Sequence, residues 1–486
     1  MSRNRIIIVT IGIMFSLFLA SMESTVVATA MPTIVGQLGG LEHYSWVFSA
    51  YMLASTTAVP LYGKLSDLYG RRLFYVLAMG LFLAGSVLAG QAQSMTALIF
   101  ARALQGLGAG GIQPLAFILI GEMFSLEQRA KMQGFFSGVW GVSSILGPLL
   151  GGFLVQQLSW RWVFYVNLIP GPISVALVAL AWKDTIHTHG KINVDYLGAS
   201  LLSASVVSLL LGLIDLGTPT SWMLIGLALV LFVALLWTER RAADPILPLQ
   251  LFREKLFAIA SIHGIFTGWA MFGSLSFIPL FVQSVLGTSA MQAGLTVTPM
   301  LLGWVTASIV GTRLILTIGF RKLGLIGTSL LLVGTLLMAT ISAASSQINV
   351  MVYVTIMGVG MGLSIPSFLI AVQTSVERRY LGTATSTIQF SRSMGGTLGV
   401  SVMGAALSMR LASNLAASGL DPELVTQLLD PLGTQTVVDA GVRLAMANAI
   451  HLVFLVAFFA AVLGFASAFF APRMELNDQP KSAAPQ

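Results

Sequence analysis

The sequence predicts an all-α membrane protein, built as two six-helix bundles flanking two inserted helices. Three observations predict it. Only 9% of residues are charged and 56% are hydrophobic, whereas a water-soluble domain carries about 25% charged residues. Apolar runs long enough to cross a bilayer recur along the whole chain, and mean hydropathy is +0.88. A glycine and proline signature in the first half returns in the second, displaced by 252 residues.

The apolar runs fall at about 6–30, 46–64, 73–92, 97–120, 132–155, 162–182, 197–215, 221–238, 256–282, 291–317, 322–343, 347–373, 383–410 and 446–470, fourteen in all. Their length makes them helices rather than barrel strands. The first follows Arg3 and Arg5 and reaches Ala28-Thr29-Ala30, much as a signal peptide would. It is longer than a signal-peptide core and many spans follow, so it reads as a retained first helix.

With the N-terminus inside, most basic residues, among them Lys64, Arg71, Arg72, Arg129, Lys131, Arg240, Arg241, Arg321 and Lys322, fall on the cytoplasmic side. Only Arg161, Arg410 and Arg443 fall outside. This asymmetry sets both termini in the cytoplasm. A long external loop at about 411–445 would then carry Asp421, Glu423, Asp430 and Asp439.

The repeat defines the organisation. GLGAGGIQP at 106–114 recurs as GVGMGLSIP at 358–366, so Gly106, Gly108, Gly110 and Pro114 map onto Gly358, Gly360, Gly362 and Pro366. Ser125–Arg129 recurs as Ser375–Arg379, and Gly63–Arg72 has a degraded echo at Gly311–Lys322. The expected division is a first bundle at 1–182, a linker with two extra helices at 183–255, a second bundle at 256–472 and a cytoplasmic tail at 473–486. Such repeats mark alternating-access carriers, with the site near the membrane midplane.

Other classes fit poorly. The net charge of +7 sits in short loops, so it is not a nucleic-acid signal. There is no cysteine, hence no disulfide or thiolate chemistry, and five scattered histidines give no metal-ligand spacing. No GxxxxGK[ST] loop is present, which argues against an ATP-driven pump. A membrane-embedded enzyme would need a cluster of His, Asp, Ser or Cys at one face. A transport-dead sensor would be expected to lose its intramembrane charges or carry a signalling domain.

Within GKLSDLYGRR, Gly63 and Gly70 suit a tight turn and close helix approach, and Asp67 can cap a helix or pair with an arginine such as Arg71 or Arg72. The plainer reading is a basic loop that fixes topology. Glu23 is the one acidic residue deep in an apolar run, a functional candidate able to load and release a proton. Its plainer role is a static partner for a basic residue. Arg102 lies roughly 8 Å from the start of its helix and Glu23 roughly 10 Å from the end of its own, so the two share a depth. Arg102 can equally be a structural or snorkelling arginine. Arg392, roughly 14 Å into its span, suits contact with substrate or with a proton-linked partner, or a structural role. Gly134, Gly138, Gly141, Gly147, Pro148, Gly151 and Gly152 suggest close packing and a bend at Pro148. Gln105, Gln113, Trp140, Gln389 and His263 are weaker cavity candidates.

These stretches together resemble a known family. GKLSDLYGRR is similar to the cytoplasmic loop motif of the major facilitator superfamily, RALQGLGAGGIQP (102–114) to its fourth-helix motif, and GVWGVSSILGPLLGG (138–152) to its antiporter motif. WRWVFYVNLIPG (160–171) and FIPLFVQSVLGTSAMQAGLTVTP (277–299) resemble signatures of the fourteen-helix drug/proton antiporters, the QacA/EmrB-like branch. The resemblance implies a major facilitator fold and a proton-coupled exporter of lipophilic or amphipathic compounds, or else of a lipid or a defined metabolite. It implies proton coupling at Glu23 and Arg102, gating by Gly63, Asp67, Gly70, Arg71 and Arg72, and control of access by Gly138, Gly141, Gly147, Pro148, Gly151 and Gly152. No cofactor is expected, the proton gradient being the energy source. The expected setting is a bacterial-type inner (plasma) membrane, with a monomer in contact with lipid and a periplasmic adaptor as an optional partner. Two departures stand out. SMESTVVATAMP (21–32) has Glu23 where the branch usually has Asp, and the second-half loop motif lacks its acidic residue.

Overall fold

A computed structural model describes residues 2–38, 44–184, 195–214, 218–242, 245, 247, 249–288, 290–377, 380–418 and 440–472. Among these, fifteen α-helices follow one another: α1 (Arg3–Leu38), α2 (Tyr44–Tyr69), α3 (Arg71–Gly90), α4 (Met95–Met123), α5 (Leu126–Gln157), α6 (Trp162–Tyr165), α7 (Pro170–Ala181), α8 (Tyr196–Ile214), α9 (Pro219–Glu239), α10 (Lys255–Ser284), α11 (Ala290–Ile318), α12 (Phe320–Met338), α13 (Gln347–Ser375), α14 (Leu381–Ser418) and α15 (Ala440–Phe469). A 3-10 turn at Val166–Leu168 joins α6 to α7 into one apolar length, Trp162–Ala181. The fifteen helices thus make fourteen lengths of chain, matching the fourteen apolar runs.

Ten of the helical lengths are apolar and long enough to cross a membrane by themselves. Others carry more polar residues and bury them. In α14, every residue from Gly382 to Phe390 except the last is buried, including Thr383, Thr385, Ser386, Thr387 and Gln389. Interior hydroxyls return to their own helix, as in Thr57 Oγ1 to the Leu53 carbonyl at 2.8 Å and Thr335 Oγ1 to the Leu331 carbonyl at 2.9 Å. Large apolar side chains such as Leu180, Phe100, Trp222 and Val230 are exposed, which suits a surface solvated by lipid.

The chain divides into two compact units: Met1–Ala258 with Leu369–Phe390, and Ile259–Phe368 with Ser391–Asp478. The core of the first gathers Val26, Val27, Met31, Leu98, Trp160 and Phe164. That of the second gathers Ile278, Phe281, Met300, Leu331, Met357 and Phe454. In the first unit α8 packs on α9 and on α2, and the Ser221 hydroxyl of α9 donates to the Gly212 carbonyl of α8 at 2.7 Å.

The sequence repeat is a repeat of packing. In the first unit, a Cβ on Gly106 or Gly110 would strike the α2 backbone at Tyr51 or Ser55, and one on Gly108 would strike α3 at Phe82. In the second, Gly358 and Gly362 meet the α11 backbone at Met300 and Trp304, and Gly360 meets α12 at Leu331. Each bundle wedges one central helix, α4 or α13, between two neighbours at backbone contact.

The helices outrun the apolar runs because hydrogen bonding continues into polar ends. α1 reaches Leu38, beyond the expected 30, and α14 reaches Ser418, beyond 410. Of the segment expected as an external loop at 411–445, residues 411–418 and 440–445 are helical. Its four acidic residues and the expected tail at 473–486 lie outside the described residues.

Candidate functional site: a buried carboxylate and the end of α2

Glu23 and Arg102, each 1% exposed, form an ion pair inside the first unit, with Arg102 Nη1 donating to Glu23 Oε1 at 2.6 Å. α4 starts at Met95 with Ser94 as its cap, accepting from the Ala97 N–H at 3.2 Å. Two turns in, Arg102 also donates through Nη1 to Gln105 Oε1 at 2.6 Å and through Nε to the Val47 carbonyl at 3.3 Å. Its guanidinium stands 4.1 Å from the Tyr51 ring centroid. A buried arginine is thereby satisfied from α1, α2 and α4 at once.

The other carboxylate oxygen, Glu23 Oε2, accepts from Asn167 Nδ2 at 2.8 Å. Asn167 is carried inward by the 3-10 turn between α6 and α7. The buried Trp160, whose Nε1 donates to Gln37 Oε1 at 2.8 Å, anchors the chain just before that turn. Ser86 of α3 closes the ring, accepting from Gln105 Nε2 at 2.8 Å and from Asn167 Nδ2 at 3.2 Å. Asn167, Ser86 and Tyr51 were not singled out from sequence. The one signal for Asn167 was an amide within an otherwise apolar run.

The second constellation lies at the C-terminal end of α2. Gly70 has φ 101°, a left-handed conformation that favours glycine, and turns the chain from α2 into α3. Asp184 caps the α3 N-terminus, accepting from the Arg71 N–H at 2.8 Å and the Arg72 N–H at 3.2 Å. It also accepts from Trp182 Nε1 at 2.7 Å. The buried Arg71 side chain pairs with Asp67, with Glu122 at 3.0 Å and with the Ser66 hydroxyl at 2.8 Å. Asp67 Oδ2 in turn accepts from both the N–H and the hydroxyl of Thr383, each at 2.8 Å, in the first turn of α14. Gly63 lies against the side chain of Ser386 on the same helix. The Arg72 side chain is exposed. Glu122 and Asp184 were not anticipated.

The remaining candidates lie apart. On α5, Gly147 packs against Thr25 of α1, but Gly138 and Gly152 have open space where a Cβ would stand. The expected close packing along this motif is therefore corrected at those two positions: among the described residues no atom lies within 4 Å of where their Cβ would stand. Gly141 and Gly151 are buried, and the side chain of Pro148 lies outside the described residues. Gln113 and Trp140 are half-buried. Gln389 is buried, with no protein partner for Nε2 among the described residues. In the second unit, His263 stacks on Phe368 with ring centroids 4.3 Å apart, and Arg392 is enclosed on α14. Among the described residues no group of three or more His, Asp or Glu side chains is placed to hold a metal.

The family model described as Major Facilitator Superfamily matches residues 13–400. The chain belongs to the Major Facilitator Superfamily. Similar superfamily proteins include the multidrug transporter protein MdtP of Bacillus subtilis (strain 168), 40% identical over 427 residues, 87% of this chain and 78% of that protein. Multidrug resistance protein 3 of the same organism is 37% identical over 452 residues, 91% of this chain and 88% of that protein. Among solved structures, the proton:xylose symporter XylE aligns with TM-score 0.67 at 14% identity, over 97% of each chain. The human organic anion transporter MFSD10 aligns with TM-score 0.64 at 15% identity, over 95% of this chain and 100% of its own. These two show the fold alone: an all-helical major facilitator fold. As a superfamily member the chain is a multi-pass membrane transporter of small molecules, not an enzyme.

Proposed function

We propose that the chain is a proton-coupled exporter of lipophilic or amphipathic compounds, of the fourteen-helix drug/proton antiporter branch. It works by alternating access in the inner (plasma) membrane with both termini cytoplasmic, draws on the proton gradient and uses no cofactor. The division is a bundle at 1–182, extra helices within 183–255 and a second bundle at 256–472. The observation that carries the reading is the buried ion pair of Glu23 and Arg102, together with the two relatives named for multidrug transport.

Glu23 is the proton site and Arg102 its regulator. Burial disfavours a charged carboxylate while the guanidinium and the Asn167 amide favour it. A small change in their spacing therefore decides whether the site holds a proton. Loading the proton neutralises the carboxylate and lowers the cost of enclosing it, so the carrier can turn. Asp67 acts as the gate, through its bonds to the first turn of α14, with Gly63, Gly70, Arg71 and Arg72 setting the geometry around it.

Coupling is tested in proteoliposomes holding a pH-sensitive dye, with a panel of cationic, neutral and lipid-like compounds. Adding a transported compound is expected to drive protons in the opposite direction. Transport without any substrate-dependent proton movement defeats the coupled mechanism.

A further inference from the structure

We infer that Arg392 recognises the anionic group of a carried compound, so that the cargo includes amphipathic organic anions bearing a carboxylate or similar oxyanion. This rests on the export reading above and narrows its substrate class. Two arginines lie deep in apolar helices, one in each unit, and they are treated very differently. Arg102 has a carboxylate, an amide oxygen, a carbonyl and an aromatic face. Arg392 is only 9% exposed, and its enclosed Nε has no hydrogen-bond partner among the described residues. At this point α14 crosses α10 at backbone contact: a Cβ on Gly268 would strike the Arg392 carbonyl, and one on Gly395 the Ile265 carbonyl. The same crossing carries a second enclosed donor without a partner among the described residues, Trp269 Nε1, whose ring packs on Gly399.

The sequence of the second unit's helices offers no counter-charge. There is no Asp or Glu from Lys255 to Val376, from Arg378 to Leu420, or from Ala440 to Met474. The helices α10 to α15 therefore contain no carboxylate. Glu23 already has both oxygens engaged, by Arg102 and Asn167. An enclosed guanidinium without an anion is costly in a membrane protein. Its planar fork matches a carboxylate or phosphate in two parallel hydrogen bonds. The missing anion is one that arrives from outside the chain, and the apolar helices around Arg392 suit the body of an amphipath.

The test uses 1-naphthaleneacetate and its neutral isostere 1-naphthaleneacetamide. Equilibrium binding of each is measured on the full-length protein in phosphatidylcholine nanodiscs, with no gradient. Wild type is expected to bind the acetate at least tenfold more tightly than the acetamide. Arg392→Gln is expected to bring that ratio to about one, and Arg392→Lys, which keeps the charge, to leave part of it. Equal binding of the two probes to wild type, undetectable binding of the acetate, or a ratio unchanged in Arg392→Gln overturns the proposal. Loss of acetate binding on adding phosphatidylglycerol would assign the anion to a lipid headgroup and overturn it as a cargo site. Because binding is read without a gradient, a failure of proton-driven export in parallel proteoliposomes would count against the export reading and not against this site.

Discussion

Asp67 and Thr383, 316 positions apart in the chain, are joined by two hydrogen bonds of 2.8 Å, from the Thr383 backbone N–H and from its hydroxyl to one carboxylate oxygen. The acceptor is a carboxylate at a helix N-terminus, where free N–H groups and the helix dipole favour negative charge. The other Asp67 oxygen pairs with Arg71. Asp67→Asn keeps the shape and removes the charge, weakening both links by about 1–3 kcal/mol. The chain has no cysteine, so a single Thr387→Cys, buried one turn along α14, reports opening without background. Maleimide labelling of that thiol is expected to be several-fold faster in the Asp67→Asn background, with export reduced and expression retained. Equal labelling rates would remove Asp67 from the gate.

Much of this architecture could be read from the sequence because lipid imposes it. A run of apolar residues of spanning length has to be a helix, and a charge inside one stands out. Glu23 and Arg102 were visible for that reason, and their shared depth followed from the helical rise. Which way each side chain points around its helix did not follow, since azimuth depends on packing. Asn167 was hidden twice over: an uncharged amide is a weak signal, and the 3-10 turn before α7 resets the phase that would have aimed it. Glu122 and Asp184 sit at the ends of apolar runs and look like ordinary interfacial charges, yet they hold Arg71 and the α3 N-terminus. The glycines of α5 misled in the other direction, because a small-residue pattern looks the same whether or not a neighbour fills the space.

That contrast among glycines is itself testable. Gly106→Val and Gly358→Val each push side-chain atoms into the backbone of a neighbouring helix, at Tyr51 and Met300 respectively. Overpacking of this kind costs about 1–3 kcal/mol or more. Both variants are expected to melt at clearly lower temperature by scanning fluorimetry. Gly152→Ala meets no atom within 4 Å and is expected to leave the melting temperature near that of wild type. If its export rate nevertheless changes, the antiporter motif acts on access and not on packing. A large drop in melting temperature for Gly152→Ala would contradict the open space seen there.

Asn167 Nδ2 donates a 2.8 Å hydrogen bond to Glu23 Oε2. Asn167→Ala removes it, and an unsatisfied buried acceptor costs about 1–3 kcal/mol. Initial export rates under a fixed pH gradient are expected to fall roughly tenfold, since 1.4 kcal/mol is a factor of ten. Asn167→Gln, which restores an amide on a longer arm, is expected to recover part of the rate. An Asn167→Ala rate equal to wild type would show that Glu23 functions without this support.

The coupling mechanism stands or falls on the Glu23 and Arg102 pair. Glu23→Gln keeps the volume and a hydrogen-bonding oxygen near Arg102 but cannot take up or lose a proton. It is expected to abolish export against a gradient while preserving substrate binding and gradient-free exchange. Glu23→Asp retains a titrating carboxylate, withdrawn from Arg102 by one methylene, and is expected to keep partial activity. Arg102→Ala leaves the carboxylate enclosed without its cation, a loss of about 3–5 kcal/mol for a buried pair if the charge remains. The site escapes that cost by holding its proton, so this variant should change the pH profile of export as well as its rate. The variants are compared by measuring uphill transport and counterflow in the same proteoliposomes across a range of pH. Undiminished proton-driven export by Glu23→Gln would place the proton site elsewhere in the chain. Loss of counterflow along with uphill export would instead make Glu23 a binding or folding residue, because a pure coupling residue leaves exchange intact.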